Sequence, residues 1–242
     1  DAVLISANAG LNLYIGNNDH ARGSYNLPAG VWFEPGDPLD DFAGNRAAAE
    51  ALGRQPSSSE ASRWWARQAL SWIAEHPGRA LVLMGRKALL WLNNSEIPQL
   101  YNLRGYEAVA PVLGILPAAG ILVGPGILGL LLLLWRPASP EQRLFGVLVL
   151  LYAAAFLPFF VVGRYRAPWL PLVAPLAAWG LLRVTAELAA GSWRGRVVAL
   201  LGLGAALGIV ALPLTKASCA PQLLAFARAS AARGDEAAAQ RW

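Results

Sequence analysis

Hydrophobic residues are concentrated in the second half of this chain, in four long apolar runs. The runs cover residues 110–135, 144–162, 167–190 and 197–214. Each is close to the ~20 apolar residues that a helix needs to cross the hydrocarbon core of a bilayer. The pattern therefore predicts about four transmembrane helices within a membrane domain over residues 108–215.

The first half of the chain has shorter patterns separated by turn-forming residues. Residues 11–15 alternate apolar and polar side chains, which predicts a half-buried strand that ends in the turn Gly16 to Asp19. Helices are predicted for residues 42–52 and 57–76, and the second begins with a capping-box sequence. Residues 79–92 are too few and too charged to span a membrane, so they predict an interfacial helix.

The last part of the chain, residues 216–242, predicts a helical tail. A helix over residues 221–233 is followed by Gly234, and Asp235 is placed to begin another helix. The spacing of Ala225, Ala229, Gly234 and Ala238 resembles the start of a tetratricopeptide repeat. The whole pattern predicts a mainly α, polytopic membrane protein with about four transmembrane helices. A small mixed α/β extracytoplasmic segment, residues 1–107, precedes them.

Composition agrees with an integral membrane protein. The chain has 242 residues, of which 56% are hydrophobic and only 14% charged, well below the charged quarter of soluble domains. The net charge is +5, but the basic residues are scattered between apolar runs, so nucleic acid is not an expected partner. One cysteine, Cys219, excludes an internal disulfide, and with only two histidines a zinc site of the usual kinds is not expected. No cofactor is assigned, and the sequence leaves a requirement for another metal open.

The distribution of arginines favours one orientation in the membrane. Arg164 and Arg166 lie at one end of the predicted spans, whereas more arginines lie in the short loops at the other end, which the positive-inside rule makes cytoplasmic. Counting the flanking Arg104, Lys216 and Arg228 removes this difference, so the rule favours the orientation only within the short loops. The arginines on the predicted cytoplasmic side are Arg136, Arg143, Arg183, Arg194 and Arg196.

The main candidate for chemistry is the stretch Gly163 to Pro168, where Arg164 and Arg166 flank Tyr165 between two uncharged runs. A guanidinium group matches two oxygens of a phosphate, so the two arginines are candidates to hold the phosphate of a lipid. Tyr165 is a further candidate to orient a phosphate oxygen, with a place in the interfacial aromatic belt as the favoured alternative. Interfacial arginine and tyrosine are also ordinary membrane anchors, and the pattern favours both explanations about equally. Lys87, on the predicted interfacial helix, is a further candidate for a lipid phosphate, with attraction to anionic headgroups as the alternative.

Polar residues in the first half are candidates for binding a sugar or an acceptor. Asn17 and Asn18 present amide groups in a predicted turn, although such asparagines more often bind their own backbone. Glu96 is included among these candidates. No residue is assigned as a catalytic base.

Three blocks of sequence suggest a family. Residues 6–18, 86–97 and 163–168 together resemble the C-terminal half of bacterial glycosyltransferase family 39 proteins. These are polytopic relatives of the protein mannosyltransferases in the C-type superfamily, and some carry C-terminal tetratricopeptide repeats. The resemblance implies a polyprenyl-phosphate-linked sugar donor and transfer to an acceptor at the periplasmic face of the inner (cytoplasmic) membrane. It also implies phosphate contact by Arg164 and Arg166.

The same resemblance implies that a part of the enzyme is missing here. In the family, the catalytic carboxylate lies in an external loop of the N-terminal half, and this chain begins at Asp1 without a methionine. We therefore expect that the missing half, or a partner supplying it, is required for activity, and that the chain alone is inactive. The alternative is a non-catalytic membrane anchor or assembly module of the same fold. A transporter is less favoured, because the charges lie at the ends of the predicted spans.

Overall fold

The computed structural model describes residues 8–28, 44–99, 106–107, 110–115, 119–135, 139–215, 220–232 and residue 235. Over these residues the chain is mainly helical, and no strand forms among them. The chain folds into two compact units. The first contains Asp1–Trp91 and Leu150–Val161, and the second contains Leu92–Val149 and Val162–Trp242.

The first unit is built from helices of its N-terminal part. They are α1 (Ala9–Gly16), α2 (Asn45–Leu52), α3 (Ser58–Glu75) and α4 (Pro77–Leu92), of which α4 ends one residue beyond this unit. The predicted capping box of α3 is confirmed, because the Ser57 side chain accepts from the backbone N–H of Glu60 and the Glu60 side chain accepts from that of Ser57. The beginning of the helix predicted for residues 42–52 lies outside the described residues.

The strand predicted for residues 11–15 is wrong, because this segment belongs to α1. Leu11 and Ile15 are both buried, and a spacing of four residues places them on one side of a helix as readily as on one side of a strand. The helix packs closely on α3. The Gly10 backbone N–H donates to Ser62 Oγ at 3.0 Å, and a Cβ atom on Gly10 would collide with the Ser62 backbone. Tertiary packing therefore decides between two patterns that five residues cannot distinguish.

The core of the first unit contains aromatic side chains from α1 and α3. The rings of Tyr14 and Trp65 are 4.8 Å apart, and Trp65 Nε1 donates to the Gly44 carbonyl oxygen at 3.1 Å. Ala61 and Ala69 on the same face of α3 are fully buried. This face holds α1 and α2 against α3.

The second unit contains the most apolar helices. They are α5 (Gly120–Trp135), α6 (Pro140–Phe156), whose last residues belong to the first unit, a short α7 (Gly163–Arg166), α8 (Leu170–Ala190), α9 (Trp193–Val210) and α10 (Ala220–Ala232). Short 3-10 helices cover Pro111–Ile115 and Ala167–Trp169, and the second joins α7 to α8. The tail helix predicted for residues 221–233 is confirmed by α10, whereas the helix expected to follow Asp235 lies outside the described residues.

Two helical segments are long and apolar enough to cross a membrane. They are Gly163–Ala190, which joins α7 to α8, and Trp193–Val210, which is α9. The apolar part of α5, Gly120–Leu134, is shorter, and α6 ends at Phe156 instead of continuing to residue 162. The structure thus supplies two candidate spans where the sequence predicts about four.

Glycines allow α5 and α8 to approach closely. A Cβ atom on Gly129 would collide with the Leu176 carbonyl oxygen, and one on Gly180 would lie 2.5 Å from the Pro125 carbonyl oxygen. Small residues at such positions let helix backbones pack directly against each other. α9 packs against both helices, and a Cβ atom on Gly124 would lie 2.6 Å from the Leu207 side chain.

Candidate functional site

The predicted arginine site lies at the first turn of α7, against the loop Asn93–Ile97. The Gly163 backbone N–H donates to the Ile97 carbonyl oxygen at 2.8 Å. A Cβ atom on Gly163 would meet the Glu96 carboxylate, so the Glu96 side chain would have to move if any other residue stood here. We call the loop Asn93–Ile97 together with Gly163–Arg166 the polar corner.

Arg166 forms the buried part of the polar corner. Its residue exposure is 3%, and its two terminal guanidinium nitrogens donate to the backbone carbonyl oxygens of Ser95, at 2.9 Å, and of Asn93. Its Nε atom has no hydrogen-bond partner among the described residues. Arg166 therefore joins α7 to the loop Asn93–Ile97 through neutral oxygen atoms.

Asn93 extends this connection to the end of α9. Its side-chain amide nitrogen donates to the carbonyl oxygens of Val210, at 3.1 Å, and Leu212, at 2.7 Å, while its Oδ1 accepts from the Ser95 backbone N–H at 2.9 Å. Because Asn93 is fully buried, each of these bonds satisfies a group that water does not reach. Nothing in the local sequence pattern indicated this role.

Arg164 and Tyr165 form the accessible part of the polar corner. Arg164 is exposed and Tyr165 is half-buried. The guanidinium carbon of Arg164 lies 5.2 Å from the centre of the Tyr165 ring, and Arg164 Nη2 donates to Tyr165 Oη at 3.4 Å. Residues two apart on a helix do not face the same direction, which explains why Arg164 is exposed while Arg166 is buried. Phosphate contact by these residues stays a prediction, and Arg164 is the arginine whose side chain is accessible.

Glu96 belongs to the same corner. It is exposed, and its carboxylate lies beside Gly163, the first residue of α7. Carboxylate oxygens accept hydrogen bonds from hydroxyl groups, so Glu96 keeps the chemistry required for binding a sugar or an acceptor. The structure therefore brings Glu96 together with the arginine stretch, although 67 residues separate Glu96 from Gly163 in the chain.

Lys87 lies inside the first unit and not on the outer surface of α4. It is fully buried, and its Nζ donates to Asn17 Oδ1 at 3.1 Å and to the Pro158 carbonyl oxygen at 3.3 Å. Burial lowers the pKa of Lys87 to about 8. The arginines Arg79 and Arg86 occupy the exposed side of α4 instead. Contact of Lys87 with a lipid phosphate stays a prediction that this position does not favour, because its amine has neutral partners inside the unit.

Asn17 and Asn18 use their side chains locally. Asn17 Nδ2 donates to the carbonyl oxygens of Leu13, at 2.8 Å, and Pro158, at 2.7 Å. Asn18 Nδ2 donates to the Tyr14 carbonyl oxygen at 2.8 Å, and its Oδ1 accepts from the His20 backbone N–H at 2.8 Å. Both asparagines therefore stabilise the end of α1 and the turn after it. Their assignment as sugar ligands stays a prediction that these contacts do not favour.

Asp19 is the residue of this turn that the sequence did not single out. Its Oδ1 accepts from Trp72 Nε1 at 3.0 Å and from Arg79 at 2.8 Å. The hydrogen bond from Trp72 has the larger effect and that from Arg79 adds to it, and together they lower the pKa of the Asp19 carboxyl group. The group is therefore ionised at neutral pH. The partners lie 53 and 60 residues away in the chain, so no local pattern could have shown them.

No group of three or more histidine, cysteine, aspartate or glutamate side chains that could hold a metal ion occurs in the described part of the chain. No protein-family model matches this chain, and neither curated proteins nor solved structures provide a match.

Proposed function

We propose that this chain is the C-terminal part of an integral-membrane glycosyltransferase. It would transfer a sugar from a polyprenyl-phosphate donor to an acceptor at the periplasmic face of the inner membrane. The observation that supports this proposal best is Arg164, an exposed cation beside Tyr165 in the first turn of a segment long and apolar enough to cross a membrane. The three sequence blocks that resemble glycosyltransferase family 39 supply the reaction class.

The exposed surfaces of the apolar helices support a membrane location. Only 28% of the most apolar 18 residues of Gly163–Ala190 are buried, and only 11% of those of Trp193–Val210. Leu182 is 67% exposed, and Val198 and Leu201 are each 68% exposed. A helix at the core of a soluble protein would bury such side chains, because exposing apolar surface to water costs about 25 cal/mol per Å². Lipid chains are the environment that suits them.

We further propose that α5 and α6 also cross the membrane, which gives four spans. Ile121 and Leu134 on α5 are 62% and 58% exposed, and Leu144 and Leu151 on α6 are 61% and 58% exposed. At 1.5 Å per residue these helices are about 25 Å long, close to the ~30 Å of the hydrocarbon core. A short adjoining segment at either end is sufficient to complete each crossing.

In the proposed reaction, Arg164 binds the phosphate of the donor lipid. When the bond between the sugar and the phosphate breaks, negative charge increases on the departing phosphate, and a cation already in position stabilises that charge. Stacking on Tyr165 restricts the Arg164 side chain before the lipid binds. Arg166 is a positioning residue, since it holds the backbone of α7 against the loop Asn93–Ile97. Glu96 is placed to accept a hydroxyl hydrogen bond from the sugar or the acceptor.

The second candidate is a non-catalytic membrane anchor or assembly module. One specific observation favours it: Arg166 binds backbone carbonyl oxygens of its own chain, which is a structural use of arginine. Under this alternative, Arg164 and Tyr165 are interfacial anchors and need no phosphorylated ligand.

The two candidates differ in the binding of a polyprenyl monophosphate. We expect the chain, in lipid nanodiscs, to bind radiolabelled polyprenyl monophosphate in preference to the phosphate-free polyprenol. Arg164→Ala should weaken this binding about tenfold to a hundredfold, because a charge-assisted hydrogen bond contributes roughly 1.5 to 3 kcal/mol. Arg164→Lys should fall between the wild type and the alanine variant, since lysine keeps the charge and loses the two-pronged geometry.

Arg194→Ala is the matched control. Arg194 is also exposed, follows an exposed tryptophan and lies in the first turn of α9, the other candidate span. It should bind the lipid as the wild type does. Equal binding of polyprenol and its phosphate, or equal losses for Arg164→Ala and Arg194→Ala, would favour the anchor.

A further inference from the structure

The first unit contains a cavity that the polar corner does not include. It has a volume of about 340 Å³ and opens between the turn after α1 and the C-terminal half of α3. This volume is within the range of small-molecule sites, about 300 to 1,000 Å³. Its polar lining side chains include Tyr14, Asp19, His20, Gln68, Ser71 and Glu75.

Two carboxylates face this cavity, each held by one of its oxygens. Asp19 Oδ1 accepts from Trp72 and Arg79, and Glu75 Oε1 accepts from Ser71 Oγ at 2.6 Å. The other carboxylate oxygen of each residue accepts no hydrogen bond from the described residues. Both carboxylates are therefore oriented by the protein and still have an oxygen available to a ligand.

The neutral side chains add both donors and acceptors. Gln68 supplies an amide that can donate and accept, and Tyr14 supplies a phenol. Burial and the nearby Asp19 charge raise the pKa of Tyr14, so its hydroxyl group remains a neutral donor. Gln68, Ser71 and Glu75 are exposed on α3, so a ligand can reach them from solvent.

The charge of the cavity distinguishes it from its neighbour. A second cavity, of about 330 Å³, shares Asp19 and Trp72 as a wall and is lined by apolar residues of α4 and by Arg79 and Arg86. The polar cavity has no lysine or arginine among its described lining residues. It therefore combines hydrogen-bonding groups with the Asp19 carboxylate, which Arg79 pairs from the neighbouring cavity at 2.8 Å, and the Glu75 carboxylate, which accepts only from Ser71 among the described residues.

We propose that the polar cavity binds a neutral, hydroxyl-rich ring, that is, a sugar residue, and discriminates against acidic sugars. Hydroxyl groups donate to the two oriented carboxylates, and the Gln68 amide and the Tyr14 phenol complete the hydrogen bonds of the ring. A carboxylate on the ligand would be repelled by Glu75, because the charge of Asp19 is already paired with Arg79. This site extends the proposed function, on which its role in glycosyl transfer rests, whereas its binding chemistry stands on the cavity alone.

The test compares rings of similar size and different charge. The chain is placed in nanodiscs without sugar-based detergent, and saturation-transfer NMR measures binding of D-glucose, D-mannose, D-galactose, D-glucosamine and D-glucuronate. We expect at least one neutral hexose to bind with a Kd on the order of 1 mM, which corresponds to about −4 kcal/mol. D-glucuronate should bind at least tenfold more weakly than that hexose.

Variants on the exposed side of α3 locate the site without disturbing the core. Gln68→Ala should weaken hexose binding by threefold or more, because it removes a donor and an acceptor. Glu75→Gln should reduce the preference for hexose over glucuronate to below threefold, since it keeps the shape and removes one charge. Glu50→Gln, an exposed glutamate on α2 outside the cavity, is the control and should keep both values. Circular dichroism and thermal unfolding verify that all three variants are folded.

Several outcomes would overturn the proposal. The first is that no neutral hexose shows saturable binding. The second is that only glucosamine binds, which would indicate a site for amines. The third is that Glu75→Gln keeps the wild-type preference for hexose over glucuronate. The test uses free sugars and no lipid phosphate. If no hexose binds but polyprenyl monophosphate still binds in an Arg164-dependent way, only the sugar site is refuted. If a hexose binds but polyprenyl monophosphate does not, only the lipid-phosphate role is refuted.

Discussion

At the scale of single residues, the most informative feature is how two buried cations are held. Lys87 and Arg166 are almost completely removed from solvent, and each donates to neutral oxygen atoms. Burying a charge is costly, and these hydrogen bonds offset part of that cost. The Glu96 carboxylate adds an opposite charge near Arg166, whose Nε atom has no hydrogen-bond partner among the described residues. Both residues consequently stabilise particular backbone segments, Pro158 in one unit and the loop Asn93–Ile97 in the other.

The lowered pKa of Lys87 predicts a pH dependence of stability. Its pKa is about 8 in the folded chain against an ordinary value of 10.5. Between these values the unfolded chain binds more protons, so stability should increase as the pH rises from about 8 to about 10.5. The full effect is about 3 kcal/mol. Lys87→Met should remove this increase, because methionine has no group that titrates.

Thermal unfolding of the wild type and Lys87→Met at several pH values checks the prediction, because their difference cancels the other titrating groups. Arg67→Met, which removes an exposed charge from α3, should keep the pH dependence of the wild type. If the unfolding temperatures of the wild type and Lys87→Met change with pH in the same way, the lowered pKa of Lys87 is contradicted.

Arg166 and Arg164 should differ sharply in their effect on stability. Arg166→Ala leaves the Asn93 and Ser95 carbonyl oxygens without their donors and should destabilise the second unit by roughly 2 to 4 kcal/mol. Arg164→Ala changes an exposed side chain and should alter stability by about 0.5 kcal/mol or less. Unfolding temperatures in nanodiscs measure both. Similar losses for the two variants would show that burial does not separate their roles.

At the scale of elements, close helix packing and exposed apolar faces explain the second unit. α5 and α8 approach each other at Gly129 and Gly180, while their outer faces carry exposed aliphatic side chains. This arrangement suits helices in lipid, where tight van der Waals packing holds helices together. In the first unit, α4 shows Leu81 and Val82, each 74% exposed, near Arg79 and Arg86, so its interfacial position stays a prediction that this face supports.

The close approach of α5 and α8 can be tested with one added side chain. Gly180→Leu would force the two backbones apart, and we expect destabilisation of about 3 kcal/mol or more, above the usual range for overpacking. Gly204→Leu on α9 is the matched control, because a Cβ atom there meets no atom within 4 Å. The unfolding temperature of the control should stay near that of the wild type. If Gly180→Leu also unfolds like the wild type, the close approach is not required.

At the scale of the whole molecule, the proposed membrane location is compatible with either two or four crossings. Gly163–Ala190 and Trp193–Val210 are long and apolar enough to cross a membrane. The helices α5 and α6 are shorter and have exposed apolar faces. Two crossings and four crossings both return the chain to its starting side. The position of the residues between α5 and α6 distinguishes the two arrangements.

Single cysteines should report this topology in a Cys219→Ser background. With permeabilised outer membranes, an impermeant thiol reagent should label Ser58→Cys and Ala231→Cys from the periplasm and leave Ser192→Cys unlabelled. Ser139→Cys, just before α6, should be unlabelled if α5 and α6 both cross, and labelled if only Gly163–Ala190 and Trp193–Val210 cross. Opposite labelling of Ser58→Cys and Ala231→Cys would contradict both arrangements.

The amino-acid sequence was sufficient for the features that depend on neighbouring residues. Apolar runs indicated the helices of the second unit, and Ser57 with Glu60 marked the start of α3, because caps and helical periodicity are properties of a few consecutive residues. It also located the stretch in which Arg164 and Arg166 interrupt the apolar runs. Within that stretch, the sequence could not distinguish the exposed arginine from the buried one.

Interactions between distant parts of the chain decided the rest. Leu11 and Ile15 fit a strand or a helix equally well, and packing on α3 selected the helix. Lys87 entered the interior because Asn17, 70 residues away, supplies an acceptor there. The polar cavity exists because Asp19 is held by Trp72, 53 residues away. Burial and hydrogen bonding depend on which surfaces come into contact in three dimensions. A short stretch of sequence does not show which distant residues it will contact.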